Sequence, residues 1–170
     1  MARRFRGESV HKVDTKGRVS IPASFRRVLE EGDPDWEGGK APSLVIIHGR
    51  NERPRLECFT IRAMDEIDAI VSTYPAFSEE REELEYFLNT QSTYAALDEN
   101  GRIVLGAKLR ETIGLGDEAV FAGMGESFNI WDPEAYAADL ATRAERRAAS
   151  GGRDVFALLD RSRLAGGGGS

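Results

Sequence analysis

An internal repeat constrains the fold of this 170-residue chain more than any other feature of its sequence. The first copy spans residues 14–26 and the second spans residues 98–110, at a constant offset of 84. An aspartate, a glycine, an alanine and two arginines are identical at matching positions, and the apolar positions agree in type. The sequence therefore predicts one supersecondary unit built twice, and the fold has to be considered as a pair of related halves.

A second pair of segments extends the repeat. Residues 58–62 match residues 127–131 at an offset of 69, so the alignment implies that the first copy carries 84 − 69 = 15 extra residues. The glycine- and proline-rich stretch 31–43 is the expected place for this insertion.

Each copy predicts the same order of local structure. A strand (9–13 or 93–97) leads into an Asp-x-x-Gly turn, in which glycine permits positive φ and aspartate accepts backbone hydrogen bonds. In the next strand Val19 and Ile21 alternate with Arg18, so the arginine should face away from the apolar side. A short helix beginning near Pro22 follows in the first copy. Two further strands close each unit, at 44–47 and 58–61 or at 119–122 and 128–131.

Helical patterns connect and extend the two copies. Apolar residues between 64 and 71 recur at helical spacing, and Ser78 suits the start of a second helix. Pro133 suits the first turn of a C-terminal helix over 134 to about 148, which residues 150–152 should end. A shorter helix over 154–164 is expected, and 166–170 reads as a disordered tail or a cloning remnant. The predicted class is α+β, mainly β.

The charge of the chain is unevenly distributed. The net charge is −6, yet residues 1–27 carry eight basic and two acidic side chains, a local balance of +6, which leaves −12 for the rest. Such asymmetry indicates either a basic surface for a polyanion or a solvated terminus without a partner. The eight basic residues are Arg3, Arg4, Arg6, Lys12, Lys16, Arg18, Arg26 and Arg27.

No catalytic or metal-binding pattern is present in the sequence. His11 and His48 lie in predicted strands without a motif around them, and Cys58 lies in an apolar strand. We therefore expect no enzyme, no cofactor, no metal and no small-molecule substrate. A single cysteine, no long apolar run and no apolar stretch after the first arginines lead us to expect an intracellular protein without a signal peptide or a membrane segment.

The two Asp-x-x-Gly-Arg turns are the best candidates for a binding site. A tight turn that projects lysine and arginine presents cations to phosphates, and the arginine fork can pair with a guanine edge. The alternative is that Asp14 and Arg18 pair across their own turn and serve only the fold. That alternative suits the aspartates but explains less well the surrounding density of basic residues at Lys12, Lys16, Arg26 and Arg27.

These residues resemble the MraZ family of bacterial transcriptional regulators. Residues 14–22, preceded by Phe5-Arg6-Gly7, are similar to its first signature. Residues 98–110, followed by Gly114-Leu115 and by 128–132, are similar to its second, and the resemblance covers about 5–145. It implies the double-split β-barrel of the AbrB and MazE proteins, made here from two pseudo-symmetric halves. It also implies that the chain forms homo-oligomeric rings in the cytoplasm, associated with the nucleoid. Such rings would bind tandem promoter repeats of the division and cell-wall gene cluster.

The resemblance assigns the DNA-contacting arginine of the family to Arg18. We expect Arg18 to read base edges, and Lys12, Lys16 and Arg26 to contact phosphates. The remaining candidate DNA-binding residues are Arg3, Arg4, Arg6, Arg27 and Arg102. The residues expected to shape the turns are Asp14, Gly17, Asp98 and Gly101.

The second copy departs from the first at two positions. Asn100 replaces Lys16 and Gly106 replaces Pro22, so we predict unequal halves, of which the first reads DNA and the second completes the barrel and the ring. The expected divisions are a first half at 5–65, connecting helices at 66–91, a second half at 92–135, C-terminal helices at 136–165 and the tail at 166–170.

Two other functions remain open at the level of sequence. One is an antitoxin or regulator of the AbrB/MazE type, which the presence of two copies in one chain disfavours. The other is an oligomeric protein-binding scaffold with a basic arm, which the net acidity of the chain mildly favours.

Overall fold

The computed structural model describes residues 3–50, 53–152 and 154–166, the last of these without the side chains of 162–165. The chain divides into two compact units, with the division falling between Pro133 and Glu134. The first unit contains both copies of the repeat. The second contains the C-terminal helices.

Both copies have the same element order. The first copy and its connecting helices comprise β1 (Glu8–Lys12), β2 (Arg18–Ser20), α1 (Ala23–Glu31), β3 (Ser43–Ile47), β4 (Arg55–Thr60), α2 (Ile61–Val71) and α3 (Glu79–Thr90). The second comprises β5 (Ser92–Ala96), β6 (Arg102–Val104), α4 (Ala107–Thr112), β7 (Glu118–Gly123) and β8 (Ser127–Trp131). The predicted elements and the α+β class are confirmed, and strands supply most of the larger buried core.

The strands of the two copies are interleaved in one antiparallel sheet. Its order is β1-β7-β8-β4-β3-β5, and exchanging each strand for its counterpart in the other copy gives the same order read backwards. Strand β1 of the first copy pairs with β7 of the second, and β5 pairs with β3. The two halves therefore complete each other, and the pseudo-twofold axis passes between β4 and β8.

Strands β2 and β6 form a separate two-stranded antiparallel sheet, called here the β2–β6 ribbon. A bridge between Val13 and Val19 connects β1 to the ribbon. Among the described residues the hydrogen bonding does not close into a continuous cylinder, because the ribbon is a sheet of its own.

The strand register also gives the correct alignment of the two copies. Glu8 pairs with Ala122, and its counterpart Ser92, 84 residues later, pairs with Ile47. Ile47 therefore corresponds to Ala122, at an offset of 122 − 47 = 75. Nine extra residues (84 − 75) thus lie before β3 in the first copy.

The last strands of each copy have a third offset. Ile47 pairs with Glu57, and Ala122 pairs with Asn129, so Glu57 corresponds to Asn129 at an offset of 129 − 57 = 72. The predicted offset of 69 was wrong by three residues. The first copy has twelve extra residues (84 − 72), three of which (75 − 72) lie in the β3–β4 connection.

The error has a physical cause. The alignment at 69 matched Phe59 with Phe128 by residue type, but these two side chains lie on opposite faces of the sheet. Because side chains alternate along a strand, an odd shift exchanges the faces of every residue in it.

The main core lies between the sheet, the ribbon and α1. At its centre four phenylalanine rings pack with centroid separations of 5.0–5.8 Å between Phe5, Phe25, Phe121 and Phe128. Buried aliphatic residues from both copies surround them, including Val19 and Ile103 of the ribbon. The ribbon therefore has one buried face, and its other face is turned outward.

The opposite face of the sheet is covered in part by α2 and α3. Val45, Ile47 and Met64 form a second buried cluster there, against which Phe87 packs. The Thr60 hydroxyl caps α2 by accepting from the Ala63 N–H at 3.0 Å. Ser78 caps α3 as predicted.

The second unit is helical. Helix α5 (Pro133–Ala149) begins at the predicted proline and ends before Gly151 and Gly152, which both have positive φ, and α6 (Ala157–Gly166) follows. The predicted tail, apart from Gly166, lies outside the described residues. In the described part of the chain, no helix has the length and apolar character needed to cross a membrane.

Candidate nucleic-acid interface

The first Asp-x-x-Gly-Arg turn is held by the Asp14 carboxylate. One oxygen, Oδ1, accepts the backbone N–H groups of Lys16 and Arg18, each at 2.9 Å. The other, Oδ2, accepts the guanidinium Nε–H of Arg18 at 2.6 Å. Because this bond uses Nε, the terminal nitrogens of Arg18 can be directed outward as a two-pronged donor.

The second turn repeats this geometry. Asp98 Oδ1 accepts the N–H groups of Asn100 and Arg102 at 2.8 and 3.0 Å, and its Oδ2 accepts Nε–H of Arg102 at 3.1 Å. The pairing of aspartate with arginine that the sequence left open is therefore present in both turns. It orients each arginine, and both arginine side chains keep about a third of their surface exposed.

These hydrogen bonds also set the protonation of the carboxylates. The backbone N–H of Arg18 lowers the pKa of Asp14 below its usual value, with further contributions from the Arg18 guanidinium and the Lys16 N–H. The Arg102 backbone N–H does the same for the pKa of Asp98. Both turns therefore hold their carboxylates as anions at neutral pH.

Each turn is supported by the other half of the molecule. The carbonyl of Gly17 accepts from the Leu105 N–H at 2.7 Å, and the carbonyl of Gly101 accepts from the Ile21 N–H at 2.9 Å. Both glycines have positive φ. The Arg110 guanidinium lies against Gly17 and donates from Nε to the Leu105 carbonyl at 3.0 Å.

Arg26 occupies the corresponding place in the first half, with its guanidinium packed against Gly101. Its Nε is buried and makes no hydrogen bond within the described part of the chain. Arg26 was predicted as a phosphate contact, and the structure places it at the second turn as a supporting group.

The β2–β6 ribbon brings the two turns onto one surface. Val19 pairs with Ile103 and both are buried, so the flanking residues project from the opposite face. On that outer face Arg18 lies opposite Val104, and Ser20 lies opposite Arg102. The arginines of the two copies therefore share a single two-stranded element.

Further charges surround this outer face. Lys12 lines the same surface concavity as Arg18 and Arg102, and Lys16 is exposed at the tip of the first turn. The carboxylates of Asp117 and Glu118 also line the concavity. The concavity therefore combines three cations with three carboxylates, one of which is Asp14, and this mixture restricts where a polyanion can approach.

The other basic candidates lie elsewhere. Phe5 bridges to Gly125 at the β7–β8 turn, whereas Lys12 pairs with Glu118 at the start of β7. The segment around Phe5 is thus at the opposite end of β1 from the ribbon. Arg4 packs against Gly125, Arg3 forms a 3.4 Å ion pair with Glu31, and Arg6 and Arg27 are exposed.

The remaining reactive side chains are accounted for by packing. His11 packs edge-on to Phe121 at 5.2 Å, and burial lowers the pKa of both His11 and His48. Cys58 is fully buried, and burial raises the pKa of its thiol. Among the described residues no three histidine, cysteine or acidic side chains are placed to hold a metal ion.

Comparison with known proteins identifies the family to which this chain belongs. A family model described as the MraZ protein, which its description likens to antitoxins, matches residues 4–83 and 87–154, one match for each half. The chain belongs to the MraZ family. The two matched regions agree with the two-copy organisation inferred from the repeat.

Several curated MraZ relatives are similar over most of their length. A transcriptional regulator MraZ from Ruegeria pomeroyi is 54% identical over 145 residues, which cover 85% of this chain and 87% of that protein. One from another Ruegeria species is 56% identical over 136 residues, 80% and 81% of the two chains. One from Cereibacter sphaeroides is 43% identical over 171 residues, 96% and 100% of the two chains. The family is thus one of transcriptional regulators and not of enzymes, as predicted.

Sequence reasoning missed the supporting role of Arg110 and the position of Val104 opposite Arg18. A signal for Arg110 was present, because Arg26 and Arg110 are identical at matching places in the repeat. Nothing in the sequence indicated that each of these arginines packs against the turn of the other half.

Proposed function

We propose that this chain is a sequence-specific repressor that binds double-stranded DNA through the outer face of the β2–β6 ribbon. The observation that supports it most strongly is the pair of preformed Asp–Arg turns, Asp14–Arg18 and Asp98–Arg102, on one ribbon beside Lys12 and Lys16. A two-stranded antiparallel ribbon is of a size that the major groove admits. The names of the relatives as transcriptional regulators support the same function.

The basic residues have two roles, which are to position the protein on the duplex and to read the base sequence. Lys12 and Lys16 contact phosphates, which fixes the register of the protein on the duplex without reading sequence. Arg18, held by Asp14, presents its terminal nitrogens to a guanine edge. Arg102 is held in the same way at the other end of the ribbon, but Asn100 leaves its turn less basic, which favours the first half as the one that reads DNA. The contribution of Arg3, Arg4, Arg6, Arg26 and Arg27 to DNA binding stays a prediction.

The proposal includes an assembly. One ribbon makes few contacts, so a homo-oligomeric ring that repeats it at fixed spacing would engage tandem promoter repeats with increased avidity. We further propose that the target is the promoter of the division and cell-wall gene cluster, and that the protein acts in the cytoplasm at the nucleoid. The acidic remainder of the chain would limit indiscriminate binding to DNA.

A mobility-shift titration tests this function. The probe is the DNA directly upstream of the gene that encodes this chain, with a scrambled duplex of equal length, at two salt concentrations. We expect selective retention of the upstream DNA, weakened steeply by salt because bound phosphates release counterions. Arg18→Ala should lower the affinity by about 1–3 kcal/mol per contacted site.

Arg143→Ala is the matched control. Arg143 also forms an ion pair with an aspartate four residues away, at 2.8 Å, but it lies in α5. This variant should retain wild-type affinity. Equal binding to both duplexes, or an Arg18→Ala protein that binds like wild type, would contradict the proposal.

A further inference from the structure

One apolar side chain stands on the basic outer face of the ribbon. Val104 is 59% exposed, although both of its neighbours in sequence, Ile103 and Leu105, are completely buried. It lies directly opposite Arg18, and the side chains of such a pair start about 5 Å apart. Its ribbon neighbours Arg18, Ser20 and Arg102 line a surface concavity whose other residues are mainly polar and charged.

The fold does not require an apolar residue at this place. The counterpart of Val104 in the first copy, 84 residues earlier, is Ser20, which is also exposed on the outer face of the ribbon. Serine therefore occupies the same backbone position in the same ribbon. The exposed valine is a difference between the halves that neither core packing nor the strand pairing accounts for.

We infer that Val104 is a specificity-determining residue that contacts the 5-methyl group of a thymine. This inference rests on the DNA-binding function proposed above. In the major groove the thymine methyl is the apolar group that distinguishes an A·T pair, and it is read by apolar side chains. The cations beside Val104 bring DNA to this face, which makes nucleic acid the occupant that its charge favours.

The ribbon also determines which thymine is read. The spacing of about 5 Å between Arg18 and Val104 is comparable with the ~3.4 Å rise between stacked base pairs. When Arg18 pairs with a guanine edge and the Arg18–Val104 pair is aligned with the axis of the duplex, Val104 faces the adjoining base pair. At the other end of the ribbon Arg102 is accompanied by Ser20, so the two ends offer DNA different side chains.

Removal of single methyl groups from the DNA tests this inference. Duplexes of the retained upstream DNA are made with each thymine in turn replaced by deoxyuridine, which lacks only the 5-methyl group. For the wild-type chain, one thymine next to the guanine read by Arg18 should show a loss of about fourfold in affinity, the expected size for one buried methyl group. Val104→Ser should lose a similar factor on unmodified DNA and become insensitive to deoxyuridine at that thymine.

The controls distinguish failure of this inference from failure of the proposed DNA-binding function on which it rests. Val10→Ser changes another exposed strand valine, 57% exposed on β1, and should retain the full deoxyuridine effect. Suppose that Arg18→Ala abolishes selective binding, but each deoxyuridine changes the affinity of wild type and of Val104→Ser by the same factor. The role of Val104 is then refuted, whereas the proposed DNA-binding function is retained. If the wild-type chain does not bind the DNA selectively, both fail. A Val104→Ser chain that changes oligomer size but not the methyl response would assign Val104 to a contact between copies instead.

Discussion

Gly17 is restricted to glycine for two separate reasons. Its φ is +81°, and a Cβ would collide with the backbone carbonyl of Leu105 in the other half. The φ alone disfavours a side chain, and the collision adds to it because backbone atoms cannot move aside locally. The residue that shapes the turn is therefore also the place where the two halves touch.

Gly17→Ala should destabilise the protein by about 2 kcal/mol or more, as measured by urea denaturation. Gly7→Ala separates the two causes, because Gly7 has a φ of +92° but open space around it. It should cost only the backbone strain, about 1–2 kcal/mol. Gly106 has neither constraint, so its replacement by alanine should have the smallest effect. Equal losses at Gly17 and Gly7 would show that contact with Leu105 is unimportant.

The turn carboxylates should also make stability depend on pH. The pKa of Asp14 in the folded protein lies below its ordinary value of 3.8, because the carboxylate accepts backbone and guanidinium hydrogen bonds. Its stabilising contribution is therefore complete above pH 3.8 and is lost as the pH falls through the lower folded-state pKa. Asp98 behaves in the same sense.

Asp14→Asn should accordingly be less stable than wild type at neutral pH, and the difference should shrink as the pH falls below 3.8. Urea denaturation over that range measures it. Glu99→Gln is the control, since it removes an exposed carboxylate from the second turn without changing the hydrogen bonds of Asp98. A difference between Asp14→Asn and wild type that stays constant with pH would mean that the charge of Asp14 does not stabilise the turn.

At the scale of elements, Phe5 anchors the segment before β1. Phe5 is buried and its ring lies 5.2 Å from Phe25 and 5.0 Å from Phe128. Its backbone exchanges hydrogen bonds with Gly125 at 2.8 and 3.0 Å. The positions of the neighbouring arginines follow from this anchor.

Phe5→Ala should therefore cost about 3–5 kcal/mol of stability, since it empties a site in the aromatic core. It should also increase amide hydrogen exchange in the segment before β1 more than in β4 and β8 at the centre of the sheet. Denaturation and hydrogen exchange measure the two effects. Phe77→Ala is the control, because Phe77 is fully exposed and its removal opens no cavity. Loss of stability without local opening would show that Phe5 does not fasten the segment.

At the scale of the whole first unit, the exchange of strands makes the halves interdependent. The first copy alone would leave β1 without β7, β3 without β5 and β2 without β6. Unpaired strand edges and an exposed apolar face do not make a stable monomer.

A chain cut between Pro75 and Ala76, in the α2–α3 connection, should thus give two fragments that do not fold as monomers. When mixed, they should form a one-to-one complex with a cooperative unfolding transition. Circular dichroism and size-exclusion chromatography follow both results. A folded monomer of either fragment would contradict the interdependence of the halves.

Much of the architecture could be predicted because its signals are local. The repeat, the two turns, the strand that alternates Arg18 with Val19 and Ile21, and the helix starts at Ser78 and Pro133 all depend on residues close in sequence. Hydrophobic periodicity and turn chemistry act over that range. The predicted offset of 69 for the last strands was wrong because it matched residues by type. The correct alignment depends on which face of the sheet each side chain occupies.

The sequence by itself determined that the chain folds as two similar halves, that each half has an aspartate-fastened turn, and that Arg18 faces away from the core. The tertiary structure alone decided that β1 completes the other half, that Arg110 supports the turn of Gly17, and that Val104 stands beside Arg18. It also placed Arg3, Arg4 and Arg6 at the far end of β1 from the ribbon. The reason is that periodicity specifies which face of a strand is buried, whereas the partner of that strand is chosen by packing between residues far apart in the chain.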